Sequence, residues 1–179
     1  TMQFYLYLVI LTFFNPRYKK AISIKHDYFQ AYDNLGLAFT DTNDLQSAIK
    51  SYQQALKIKP NYIQAYHSLG LALEGRVFSR PAPGLPALIG AILDKKTLIR
   101  PVTVSKAAIS LIKLDPEIRS VIDNWKDDQP IHNPLKTIIT LSKSALLLKL
   151  MKSCQLPDVD MEMLLTKLRA SVLKNIDAL

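Results

Sequence analysis

The sequence predicts an all-α protein: a short array of helical hairpins packed on a second α-helical bundle. Three observations lead there. Side chains return at an interval of 34 positions. Tyr32, Leu35 and Gly36 recur as Tyr66, Leu69 and Gly70, and Tyr18, Ala21, Ile24 and Tyr28 recur as Tyr52, Ala55, Ile58 and Tyr62. An interval of that length accommodates two helices and their turns. Beyond the recurrence, apolar residues keep the spacing of a buried helix face, as at Val104, Ala108, Leu111 and Ile112. Only five glycines interrupt 179 residues, and an apolar share of 49% is enough to bury a core.

The chain opens with an apolar segment, residues 1–16, whose Phe4 to Phe14 are almost wholly apolar. This run is shorter than the ~20 residues of a membrane-crossing helix. It also lacks the preceding positive charge and the small-residue cleavage site of a secretory signal. Tyr5 falls in register with Phe39, but Phe14 stands where the repeat wants the small Ala48. The favoured reading is a divergent repeat remnant that packs on the array; a membrane-touching segment and a sequence artefact are the alternatives. Asn15-Pro16 supplies an N-cap and a first helical residue for a helix reaching about Lys25.

Residues 17–75 hold a trailing helix, one whole repeat over Phe29–Pro60, and a leading helix over Ile63–Glu74. The whole repeat is organised by Tyr32, Leu35, Gly36, Phe39, Ala48, Tyr52 and Pro60. Gly36 lets the second helix approach the first. Ala48 and Ala55 sit where a larger side chain would overpack a helix crossing. Tyr32, Phe39 and Tyr52 fill the space between helices. Asn43-Asp44 supplies the turn and cap, and Pro60 stops the second helix. This pattern resembles the tetratricopeptide repeat (TPR), a helix–turn–helix unit with aromatic-x2-Leu-Gly-x2-aromatic, Ala-x3-aromatic and Pro at these places. Each such unit buries its apolar face only against a neighbour, so the ends of a short array need covering.

The resemblance implies a non-catalytic protein–protein interaction module. In TPR proteins the first helix of each repeat lines a concave groove that takes peptides. The groove residues implied here are Gln30, Asp33, Asn34, Leu37 and Asp41, then Gln64, His67 and Leu71. Capture of a peptide carboxylate needs basic residues and paired asparagines in that groove. This chain offers Asn34 but places Asp33 and Leu37 beside it.

Residues 76–86, with three prolines and a glycine, read as an extended linker, and residues 87–179 as an α-helical domain. A short apolar helix is expected from Leu85 to Leu93, and another opens at Pro101. Asp115-Pro116-Glu117 combines an N-cap acid, a proline at the first helical position and an acid facing the dipole. The next helix carries Ile118, Val121, Ile122 and Trp125. Asp127 to Pro134 reads as a loop, and Leu135–Leu150 as helical with a break near Ser142-Lys143-Ser144. Asp158 or Asp160 caps a last helix with Met161, Leu165, Leu168, Val172 and Ile176 along its face.

The segments VFSRPAPGLPALIGAILDKKTLIRP, KAAISLIKLDP and LSKSALLLKLMKSCQLPDVDMEMLLTKLRASVL resemble a helical region of bacterial proteins. There it lies between a TPR array and a methyltransferase domain dependent on S-adenosylmethionine. The resemblance spans about Val77–Ile176 and implies a larger TPR-containing parent with a C-terminal catalytic domain, a methyltransferase or, as a weaker variant, a glycosyltransferase. It transfers no catalytic residue, because Gly84 and Gly90 form no glycine-rich cofactor loop.

Formal charge is +8, with seven basic against five acidic residues up to Gly75 and sixteen against ten after it. The bases are scattered and no basic stripe interleaves with aromatics, so a solvated surface is expected rather than a nucleic-acid partner. Cys154 is the only cysteine, which fits a reducing, cytoplasmic compartment. His26, His67 and His132 lack metal-ligand spacing. No cofactor, metal or membrane partner is expected, and a protein or peptide partner is.

Overall fold

The computed structural model describes residues 2, 15–95, 99–125, 131 and 133–176, with backbone alone for 174–176. The apolar run Phe4–Phe14 therefore lies outside the described residues. All regular structure in the described residues is helical. The chain divides into two compact units. The first holds Thr1–Leu73 with Thr97–Ile99, and the second holds Glu74–Lys96 and Arg100–Leu179.

The first unit contains α1 (Asn15–Ile24), α2 (Phe29–Asp41), α3 (Leu45–Ile58) and α4 (Ile63–Ala72). Each helix packs on the next, and α4 also packs on α2. Tyr32 and Tyr66 are each the fourth residue of their helix, so the 34-residue interval returns as equivalent positions on two touching helices. The turn between α2 and α3 is left-handed at Asn43 (φ 59°). Asp44 Oδ1 then accepts from Ser47 N at 3.1 Å, and the bonds from Ser47 hold that carboxyl below its usual range. At α1 the expected cap is not made: Asn15 is buried and its Oδ1 accepts no hydrogen bond.

The core of this unit follows the small-and-aromatic pattern. Ala48, Tyr52 and Ala55 are fully buried. A Cβ on Gly36 would stand 2.6 Å from Tyr52 Cε1, so only glycine admits the ring. The Tyr52 hydroxyl lies 3.1 Å from Thr40 Oγ1, and burial pushes the phenol up to about 12. Tyr66 donates its hydroxyl to the Pro60 carbonyl at 3.1 Å. At Gly70 the repeat would place another helix, but the neighbour is Ile99, whose Cγ1 lies 2.9 Å from an added Cβ.

The second unit contains α5 (Leu85–Asp94), α6 (Pro101–Ile112), α7 (Pro116–Trp125), α8 (Pro134–Ser142), α9 (Ala145–Ser153) and α10 (Val159–Ile176). α9 is its centre and packs on α5, α6 and α8, while α10 packs on α7 and α8. Leu146, Leu147 and Leu150 are buried, and Leu148 and Met151 face outward. Lys149 reaches back to pair with Asp94.

Local signals set most boundaries. Asp115 Oδ1 accepts from Glu117 N and Ile118 N, and Ser144 Oγ accepts from Leu147 N at the break between α8 and α9. Asp158 Oδ1 caps α10 through Met161 N, while its other oxygen pairs with Lys113 at 2.5 Å. Glu162 accepts from Leu156 N, so this acidic cluster is spent on structure.

Several expectations need correction. Pro134 is not loop: Asn133 Oδ1 accepts from Lys136 N and Pro134 opens α8. α4 ends at Ala72, short of Glu74, in a turn that carries Gly75 at φ 67°. Within the irregular stretch before α5, Phe78 is buried and its N–H donates to Ser110 Oγ at 2.9 Å. The face of α10 is turned from the expected one. Met161, Leu164 and Leu168 are buried and Leu165 only half so.

Candidate functional site

The residues implied as a groove lie on α2 and α4, which are in contact. Gln30, Asn34, Leu37 and Asp41 are exposed along α2, at spacings of three and four that keep them on one side of the helix. Gln64 and Leu71 are exposed on α4. Leu37 and Leu71 are 41% and 50% exposed, high for leucines, and they occupy equivalent positions of the repeat. Both helices stay helical here because Leu35, Gly36 and Ala38 on one, and Leu69, Gly70 and Ala72 on the other, are buried on the opposite side.

Two of the eight residues do not stand open. Asp33 is only 4% exposed. Burial raises its carboxyl above 3.8, opposed by hydrogen bonds with Tyr62 and Ser68. Its Oδ1 has no partner. His67, its register equivalent, is half-buried with Nδ1 also unpartnered. The packing of α4 on α2 closes over this position, so Asp33 joins two helices instead of meeting a ligand directly.

An aromatic pair missed by sequence reasoning stands at the start of both helices. The rings of Phe29 and Tyr62 meet edge to face with centroids 4.9 Å apart. Lys59 Nζ lies 4.4 Å from the Phe29 centroid and 5.8 Å from that of Tyr62. Tyr28 and Tyr62 recur at the repeat interval, but nothing in that interval pairs the second ring with Phe29.

The repeat is matched in sequence by one family model. Residues 36–75 fit the family model for the TPR repeat. The first unit is a TPR-type helical array. The TPR match covers the part of the chain from Gly36 through α3 and α4, including Leu37, Asp41, Gln64, His67 and Leu71. No curated protein and no solved structure matches the chain. The resemblance of residues 77–176 to a methyltransferase-associated region gains no support from these comparisons. TPR repeats generally bind protein partners, and the match points towards a role in protein–protein contact.

In the second unit a cleft of about 840 Å³ lies between α7 and α8. Trp125, Ser120, Thr137 and Thr140 line it, and Lys143 pairs with Glu117 at 2.9 Å on its wall. Burial raises the Cys154 thiol above its ordinary value, which disfavours the reactive thiolate. Among the described residues no group of three or more His, Cys, Asp or Glu is arranged to hold a metal. No helix among them is long and apolar enough to cross a membrane.

The buried Asp33 makes a test of the packing. Its folded carboxyl titrates above the open chain's 3.8, so the fold holds the acid form more firmly than the open chain does. Stability from this group is present below 3.8 and is lost as pH rises through the raised value. Asp33→Asn removes that loss while keeping an acceptor for Tyr62 and Ser68. The variant is expected to be more stable than the parent at pH 7, with the gap closing as pH falls towards 3.8. Urea unfolding followed by circular dichroism across that range measures it, and a variant less stable at pH 7 would show that the charge is needed.

Proposed function

We propose that the chain is a non-catalytic interaction module, the N-terminal part of a larger TPR-containing protein, and that α2 and α4 together hold a peptide from a protein partner. The observation that carries this reading is the pair Leu37 and Leu71. They are register-matched, on touching helices, exposed, and flanked by the exposed amides of Asn34, Gln30 and Gln64. Two apolar anchors with amides beside them suit a segment that buries side chains at intervals and pairs its backbone polar groups. Asp33 supports the site from beneath. Capture of a peptide carboxylate is not favoured, since neither helix carries a Lys or Arg.

The test is selection of a random-peptide library against the full chain. Enriched peptides are expected to lose at least about tenfold in affinity when Leu37 and Leu71 are both changed to Ser, as removal of two central apolar anchors implies. The helical circular dichroism should stay unchanged, because both side chains are on the surface. Enriched peptides that bind the double variant as well as the parent would place the site elsewhere.

A further inference from the structure

Charge is sorted between alternate helices of the TPR-type array. α1 carries Arg17, Lys19 and Lys20, and α3 carries Lys50 and Lys57, with no acid in either. α2 carries Asp33 and Asp41, and α4 carries no Asp or Glu; neither has a Lys or Arg. The chain as a whole is +8, so a face without basic residues runs against the general balance. Asp41 is exposed, is the last residue of α2, and stands where the helix's own carbonyls add partial negative charge. At the other end of α2 the cation Lys59 lies over the Phe29 and Tyr62 rings.

From this sorting we infer that the α2–α4 face takes a basic segment of a partner protein, with apolar side chains on Leu37 and Leu71 and a Lys or Arg at the Asp41 end. The inference rests on the docking role proposed above and adds the partner's chemistry. A basic segment gains attraction from Asp41 and from the negative end of α2. An acidic segment meets the same charges as repulsion, which discriminates more than the pair itself contributes. The direction is fixed by the same asymmetry, with the partner's cation at the Asp41 end and its neutral or acidic end near Lys59.

The experiment uses the full chain and three labelled peptide series that share paired leucines at varied spacing, flanked by lysine, alanine or glutamate. Fluorescence anisotropy at low salt should rank them lysine, alanine, glutamate. Asp41→Asn should weaken the lysine series by about two- to fivefold, the usual worth of an exposed pair, and Asp41→Lys should reverse the ranking. Added salt should narrow the gap between series. Alanine or glutamate peptides that bind as tightly as lysine peptides, and still lose binding in the Leu37→Ser, Leu71→Ser double variant, would overturn the basic-partner inference and leave the docking face standing. Binding of every series that ignores the double variant, or no binding by any, would overturn the inference; library-selected peptides that ignore the double variant too would remove the docking face with it.

Discussion

Gly36→Leu is expected to lower the thermal midpoint of the first unit by roughly 10–20 °C. The Cβ alone would stand 2.6, 2.8 and 2.9 Å from Cε1, Cδ1 and Cζ of Tyr52. Tyr52 is fully buried among α2 and α3 and its hydroxyl is tied to Thr40, so the ring has nowhere to move. Overpacking of a filled core costs about 1–3 kcal/mol for small insertions and more for a whole side chain. The gain in helix propensity over glycine, about 1 kcal/mol, offsets only part. A net loss of about 3 kcal/mol would lower the midpoint of a unit this size by roughly 10–20 °C. Gly90→Ala makes the matched control: its Cβ would meet only the Lys149 side chain, at 3.6 Å. That change should stabilise α5 by up to about 1 kcal/mol. Thermal melts followed by circular dichroism measure both, and a Gly36→Leu midpoint within a few degrees of the parent would show that the helices can spread.

Leu150→Ala is the corresponding prediction for the second unit. Leu150 is fully buried on α9, the helix that packs on α5, α6 and α8. Truncating such a leucine costs about 2–5 kcal/mol, the spread depending on how far the cavity collapses. Trp125 is the sole tryptophan of the chain and lies in the same unit, so its fluorescence reads this unit without interference from the array. Urea unfolding by that signal should show a lower midpoint with little change in slope. Leu148→Ala on the outward side, where the leucine is 48% exposed, should cost under about 1 kcal/mol. Equal losses for the two variants would mean that α9 is not the centre of the unit.

Helix ends were largely legible because caps are local. Asp44, Asp115, Ser144 and Asp158 each accept from a backbone N–H within three residues, so a few letters of sequence decide the outcome. Asn133 follows the same rule and was hidden only by the prolines around it. The face of α10 was less legible. Leu164 and Leu165 both continue an apolar stripe, and the choice between them falls to α7 and α8, against which the helix packs. The candidate site divides in the same way. Leu37 and Leu71, named with Asp33 through the family resemblance, stand exposed, whereas Asp33 on the same helix is covered.

The sequence by itself determined the all-helical class, the 34-residue repeat and the need for glycine at position 36, since each follows from neighbours along one chain. Tertiary structure alone decided that Asp33 is closed over and His67 half-buried, that Ile99 takes the place beside Gly70, and that Phe29 pairs with Tyr62. The physical reason is that periodicity says which side chains share a side of a helix. Which side a neighbouring helix then covers depends on contacts between residues far apart in the chain.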